Sequence, residues 1–213
     1  MTGPDSGALW REVALRNHGE GYARRYAEVF DGLAAQGKEV HGEVDLLVDL
    51  AGPRASVLDA GCGTGRVAAR LADLGHDVAG VDVDPAMVEV ARERRPDLAW
   101  HVADLAGLDL GRTFDVVVSA GNVIPFVPLV DLPAAAAGLS RHTAAGGLVV
   151  CGFGLDPEHL PAGAPVVPLA AYDDAMDDAG LRLEARWAGW DRAPYDGGGY
   201  AVSVHKNEQP ESH

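Results

Sequence analysis

The sequence predicts an α/β fold, built as a doubly wound and mostly parallel sheet with helices on both faces. Three observations predict it. Short runs dominated by Val, Leu and Ala recur near residues 56–59, 77–82, 98–102, 114–119 and 147–153, the composition of parallel strands that are covered on both sides. Segments with apolar residues at helical spacing lie between these runs. A loop with glycine at three alternate positions, Gly61-Cys62-Gly63-Thr64-Gly65, joins the first run to the first of the intervening helices.

Taken in order, residues 7–51 read as helices outside the sheet, with Trp10, Val13, Tyr22, Tyr26, Val29 and Phe30 near helical spacing and Gly19, Gly21 and Gly37 as breaks. Their last segment puts Val44, Leu47, Val48 and Ala51 on one face, which predicts a helix packed on the sheet and ended by Gly52-Pro53. The first strand spans 56–59, and its helix runs from Arg66 to Leu74 with Gly75 at the C-cap. A second strand covers 77–82. Asp84 as N-cap and Pro85 at the first helical position open a helix that runs to Arg94. Strands follow at 98–102 and 114–119, then a helix at 129–143, a fifth strand at 147–153 and a helix at 169–179. The final runs, 181–190 and 200–206, are separated by Asp191-Arg-Ala-Pro-Tyr-Asp-Gly-Gly-Gly199. That linker is turn chemistry, and it predicts an antiparallel hairpin.

Glycine is required where backbone takes positive φ or meets a ligand with no side chain between, and the helix behind such a loop presents unpaired N–H groups. A nucleotide-like ligand suits that geometry. The dinucleotide fingerprint is Gly-x-Gly-x-x-Gly, whereas Gly61, Gly63 and Gly65 follow Gly-x-Gly-x-Gly with Asp59 two residues ahead. Asp59-Ala-Gly-Cys-Gly-Thr-Gly65 closely resembles the first motif of the class I S-adenosylmethionine (SAM)-dependent methyltransferases. The resemblance continues through Gly80-Val-Asp82, Asp84-Pro85-x-Met87, Ala103-Asp104-Leu105 and Phe114-Asp115-Val-Val-Val-Ser119. With Ala120-Gly-Asn-Val123 and a late Trp190-Asp191, the whole chain is similar to a group of small bacterial members of that family.

The resemblance implies a Rossmann-like sheet of seven strands in the order 3-2-1-4-5-7-6, with strand 7 antiparallel. It divides the chain into an N-terminal helical extension over the cleft (1–52), a methyltransferase core (53–206) and a flexible tail (207–213). It further implies SAM as cofactor, S-adenosylhomocysteine as product and a small-molecule acceptor. Asp59 and the Gly61, Cys62, Gly63, Thr64, Gly65 backbone would orient the methionine portion, with Cys62 filling space. Asp82 would accept the ribose hydroxyls; Asp84 is its competitor, already suited to capping a helix. Val83 and Met87 would sandwich the adenine, Asp104 and the Leu105 amide would address its edge, and Ala120 and Gly121 would lie where donor and acceptor meet.

Transfer of a methyl group is an in-line displacement governed by alignment, and a base is needed only where the acceptor must lose a proton. The residues offering themselves for acid–base or acceptor contact are Asn122, His159 and Tyr22, with His18, His41, His101 and His142 as further histidines. Asn122 is either a ligand contact or a loop-structuring residue. The Asn/Asp-Pro-Pro-Tyr/Phe motif of adenine and glutamine methylation is absent after the fourth strand. Tyr22 and Tyr26, four apart, either reach the ligand or are core aromatics with surface hydroxyls.

A chain of 213 residues fits one α/β domain with decorated ends. Its 17 basic and 32 acidic residues give a formal charge of −15, which repels phosphate backbones and anionic membranes, so neither nucleic acid nor membrane is an expected partner. Cys62 and Cys151 lie apart without metal-ligand neighbours, so no metal is expected. The opening Met1-Thr-Gly-Pro-Asp-Ser6 has no apolar run behind it, so a cytoplasmic enzyme, monomer or homodimer, is expected. The alternatives are a SAM-binding regulator without catalysis and an NAD(P)-dependent oxidoreductase.

Overall fold

A computed structural model describes residues 6–208. Three helices precede the sheet: α1 (Ser6–His18), α2 (Tyr22–Ala35) and α3 (Gly42–Ala51). The alternating core follows as β1 (Ser56–Ala60), α4 (Arg66–Asp73), β2 (Asp77–Asp82), α5 (Pro85–Arg94), β3 (Ala99–Val102), β4 (Phe114–Ser119), α6 (Leu132–Arg141) and β5 (Thr143–Gly154). The chain ends with α7 (Leu169–Asp178), β6 (Leu181–Trp187) and β7 (Tyr200–Asn207). The seven strands form one sheet in the order β3-β2-β1-β4-β5-β7-β6, and β7 runs antiparallel to both of its neighbours. This is the expected topology.

Strand alternation distributes the core. Leu58, Ala60 and Val117 point into one layer with Leu139 of α6 and Met176 of α7. Val57, Val116 and Val118 point into the other, with Leu47 of α3, Leu71 of α4 and Val88 of α5. Each fully buried Leu or Val contributes about 1.5–3 kcal/mol relative to exposure, so the sheet is held from both sides. A third, smaller cluster joins Ala14 of α1 and Tyr22, Ala23 and Ala27 of α2 to Met87 and Val90 of α5. Helices α1 and α2 therefore pack on α5.

Several boundaries differ from the sequence reading. The helix expected from 129 begins at Leu132 because Pro133 occupies its first turn. The chain before it makes a short 3-10 turn at Ile124–Phe126 instead. Strand β5 starts four residues early, at Thr143: Phe114 pairs with Thr143 but Val116 pairs with Leu148, so Ala144–Gly147 bulge out against a single residue of β4. A Cβ on Gly147 would stand 2.8 Å from the Asp115 carbonyl oxygen, which explains why the bulge carries glycine there. Strand β6 ends at Trp187 rather than Trp190, because the backbone turns at Ala188, whose N–H bonds the Ala193 carbonyl. Val29, expected on an apolar face, is exposed. The tail expected from 207 begins later: Asn207 ends β7 buried, its side-chain amide donating to the Thr143 carbonyl at 2.7 Å. Residues 209–213 of that tail, and 1–5, lie outside the described residues.

The site lies at the carboxyl ends of β1 and β4. From β1 the next strand in sequence lies on one side and β4 on the other, so the connections leave in opposite directions there. Such a switch point leaves a crevice open between the loops.

Candidate cofactor and acceptor cleft

A cleft of about 930 Å³, counting its open mouth, fills that crevice. Its floor is the loop after β1. Gly61, Gly63 and Gly65 all have positive φ, at 86°, 54° and 81°, yet each is glycine for a different reason. A Cβ on Gly61 would stand 2.3 Å from Val123, and one on Gly65 would stand 2.4 Å from the Trp100 ring. Those two pack the loop against the protein. A Cβ on Gly63 would meet no protein atom within 4 Å, although Gly63 lines the cleft. The backbone at 63 is thus bare toward space that the protein leaves empty.

Two carboxylates frame the loop. Asp59, at the end of β1, is 2 % exposed and accepts the Ala68 N–H at 3.1 Å. Burial pushes its pKa up to about 7. Asp82, at the end of β2, accepts the Gly63 N–H at 2.8 Å through one oxygen and the Asp84 N–H at 2.9 Å through the other. Burial pushes it up to about 6, against the opposing pull of those N–H donors. Both groups line the cleft. Each is thus a carboxylate in a low-dielectric wall, better satisfied when donors or a cation arrive from a ligand.

The other residues singled out from sequence are brought together at the same place. Cys62, Thr64, Val83, Met87, Asp104, Leu105, Ala120 and Gly121 all line the cleft. Asp104 also caps the 3-10 turn Leu105–Gly107, accepting the Ala106 N–H at 2.9 Å. Burial holds the Cys62 thiol well above its usual range, so it is a filler rather than a nucleophile.

Asp82 and Asp84 separate cleanly. Asp84 caps α5 through the Ala86 N–H and also accepts the Trp10 indole N–H and the Tyr22 hydroxyl; unlike Asp82, it does not line the cleft. Tyr22 therefore does not stand in the cleft as a catalytic candidate would, and its hydroxyl is not at the surface either. Burial and the bond to Asp84 hold its pKa above the ordinary range. Tyr26, one turn later, does line the cleft.

Asn122 lines the cleft as well, with φ of 66°, a left-handed conformation that Asn tolerates better than most residues. Its side chain accepts the Gly154 N–H at 2.7 Å and donates to the His159 carbonyl at 3.1 Å. Both ends of the amide are thereby used to tie the loop after β4 to the segment after β5. His159 stands behind it, exposed, with Nδ1 2.8 Å from an Asp156 oxygen, and is not part of the cleft wall. His142 is structural: Nδ1–H donates to the Gly138 carbonyl and Nε2 accepts the Leu110 N–H at 2.9 Å. His18, His41 and His101 are absent from the cleft lining.

Sequence reasoning missed part of the wall. Val123, Phe126 and Val127 reach it from the 3-10 segment after β4, and Trp10 reaches it from α1. The apolar run Val123-Ile-Pro-Phe126-Val127 is a usable signal for the first group. For Trp10 none exists, since it stands 74 residues before the carboxylate that holds it. Arg66 also lines the cleft, with its guanidinium committed to Glu43 at 2.6 Å and stacked over Phe30 at 4.6 Å. Among the described residues there is no group of three His, Cys, Asp or Glu side chains suited to a metal ion, and no helix long and apolar enough to cross a membrane.

Comparison with known proteins agrees with this architecture. The methyltransferase domain family matches residues 57–147. A TehB-like SAM-dependent methyltransferase from Corynebacterium glutamicum superposes with a TM-score of 0.78 at 35 % identity, over 87 % of this chain and 98 % of that one. The dTDP-4-amino-2,3,4,6-tetradeoxy-D-glucose N,N-dimethyltransferase of Saccharopolyspora spinosa is 34 % identical over 135 residues, 61 % of this chain and 54 % of the relative. The dTDP-3-amino-3,4,6-trideoxy-alpha-D-glucopyranose N,N-dimethyltransferase of Streptomyces venezuelae is 33 % identical over 135 residues, 61 % of this chain and 57 % of the relative. The match thus spans little more than half the length of these two curated relatives.

Proposed function

The chain belongs to the SAM-dependent methyltransferases, and from that premise we propose that it transfers a methyl group from SAM to a small-molecule acceptor in the cleft between β1 and β4. The observation that carries the reading is the Gly63 backbone, bare toward empty space and tied by its N–H to Asp82. When bound, SAM supplies a methyl group on a sulfonium centre.

The residues present fit that group. Asp82 has lone pairs left on both oxygens after its two backbone bonds, which suits two ribose hydroxyls. Val83 and Met87 offer apolar faces for the adenine, with Asp104 and the Leu105 amide at its edge. Asp59 and the Gly61–Gly65 backbone, including Cys62 and Thr64, hold the methionine end, where Asp59 is the natural counter-ion for an ammonium. Ala120 and Gly121 leave room at the reacting carbon, and Trp10, Phe126 and Val127 exclude water from the acceptor side. The protein's contribution is alignment of the acceptor lone pair with the methyl carbon in a dry cleft. Asn122 fixes the acceptor-side loop by accepting the Gly154 N–H and donating to the His159 carbonyl.

The N,N-dimethyltransferase relatives make an amino group on a small metabolite the favoured acceptor. The formal charge of −15 disfavours nucleic acid as the acceptor. Calorimetric titration with S-adenosylhomocysteine, with NADH in parallel, tests the cofactor. Micromolar binding of S-adenosylhomocysteine alone is expected. Binding of NADH instead, or of neither, overturns the reading.

A further inference from the structure

Asp84 does more than cap a helix. An N-cap needs one carboxylate oxygen, and Oδ1 supplies it by accepting the Ala86 N–H at 2.9 Å. The other oxygen, Oδ2, accepts two donors from two other helices: the Trp10 indole N–H of α1 at 2.9 Å and the Tyr22 hydroxyl of α2. Three donors converge on a carboxylate that is 1 % exposed, and two of them come from segments 62 and 74 residues away.

What Oδ2 holds in place is a wall of the cleft. Trp10 lines it, and its ring meets Phe126 edge-on with centroids 5.2 Å apart. The indole therefore bridges the cleft from the α5 side, where Asp84 holds its N–H, to the 3-10 segment after β4. On the same residue the backbone N–H of Asp84 donates to Asp82 Oδ1 at 2.9 Å. One residue thus touches the acid of the ribose position through its main chain and the N-terminal helices through its side chain.

We propose that Asp84 is a positioning residue that latches α1 and α2 over the cofactor through its Oδ2, with Trp10 as the gate and Tyr22 as the second anchor. The proposal rests on the reading of the cleft as the SAM site. A ligand seated between the glycine loop and Met87 shares the cleft with Trp10, so the latch sets how long cofactor and product stay bound. A bond to a buried carboxylate is strong because both partners have lost their water. The same burial makes the latch selective, since an amide in place of the carboxylate presents a donor to the indole N–H.

The variant Asp84→Asn isolates this role. Asn is as good an N-cap as Asp, so α5 keeps its cap, while the side-chain NH2 now faces the Trp10 N–H with no acceptor for it. Trp10→Phe removes the same bond from the other end and keeps an aromatic edge for Phe126. The probe is S-adenosylhomocysteine, followed by stopped-flow tryptophan fluorescence. Each variant is expected to release it roughly tenfold faster than wild type, the loss of one charge-assisted bond. The double variant is expected to be no faster than the faster single one, because both remove the same bond. The fluorescence change on binding is expected to shrink in Trp10→Phe. Unchanged release in Asp84→Asn, or effects of the two variants that multiply, overturns the latch. Failure of the wild-type protein to bind S-adenosylhomocysteine overturns the cofactor reading instead, and the two failures are told apart by that control.

Discussion

Replacing Gly63 by alanine separates binding from folding, and its size follows from the geometry. At φ of 54° an L-residue costs roughly 1–2 kcal/mol, and the new Cβ meets no protein atom within 4 Å, so no packing penalty is added. For a domain of this size about 1 kcal/mol lowers Tm by roughly 2–4 °C, which puts the shift at roughly 2–8 °C. The ligand, however, must approach the bare backbone at 63, and a methyl group forced into a filled site costs about 1–3 kcal/mol. Affinity for S-adenosylhomocysteine should fall roughly 5- to 150-fold. Valine at 63 should abolish it. Gly65→Ala is the contrast, because its Cβ would stand 2.4 Å from Trp100 and that ring cannot move without disturbing Gly80 behind it. It should lose more Tm than Gly63→Ala. Thermal melts with and without ligand, together with calorimetric titration, read both quantities. Wild-type affinity in Gly63→Ala would refute the assignment of the loop. So would a larger loss of Tm at 63 than at 65.

Other outcomes follow from the same contacts. Asp82→Ala should weaken S-adenosylhomocysteine binding by roughly 1–3 kcal/mol through unpaired ligand donors, and more if the Gly63 loop relaxes; titration at one pH decides it. Affinity should rise with pH between about 5 and 8, since the buried Asp59 and Asp82, pushed up to about 7 and about 6, hold protons that a cationic ligand must displace. A flat affinity profile over that range would contradict their role as ligand carboxylates. For stability these groups act the other way: the unfolded carboxyls ionise first, so their contribution falls as pH rises from about 4 to 7. His205, buried between β5 and β6 and pushed down to about 4, behaves conversely. Its unfolded ring takes a proton below about 6.5 while the folded ring stays neutral, so up to about 3 kcal/mol of stability is lost as pH falls from 6.5 to 4. The variant His205→Gln should flatten that limb in urea melts, and an unchanged acid slope would show that other groups carry it. Asn122→Ala should cost stability of the acceptor-side loop by leaving the Gly154 N–H unpaired, read as faster proteolysis after β4 with S-adenosylhomocysteine affinity largely kept.

The succession of strands and helices, the helix caps and the glycine loop were legible in the sequence because their causes are local, whereas the order of strands in the sheet came with the family resemblance. Asp84 with Pro85 opens a helix wherever it stands, and a Val-rich run such as Phe114–Ser119 is a strand in any α/β setting. Glycine at 61, 63 and 65 announces a bare loop before any partner is known. The boundaries that moved did so for reasons that lie across the sheet. Ala144–Gly147 has no strand character of its own and joins β5 as a bulge against β4, and Asn207 belongs to β7 because the Thr143 carbonyl waits for its side chain.

By itself, then, the chain determined the succession of its strands and helices and, through the motifs it shares with the methyltransferases, the residues that line the cleft. Only the tertiary structure decided that Gly61 and Gly65 pack against Val123 and Trp100 while Gly63 is left bare toward the cleft. It also turned Tyr22 away from the cleft and Tyr26 into it, and gave Asp84 to Trp10 rather than to the ribose position. The Tyr22 and Asp84 assignments depend on contacts 62 and 74 residues apart in the chain. No local pattern records which of two neighbouring carboxylates a distant indole will reach.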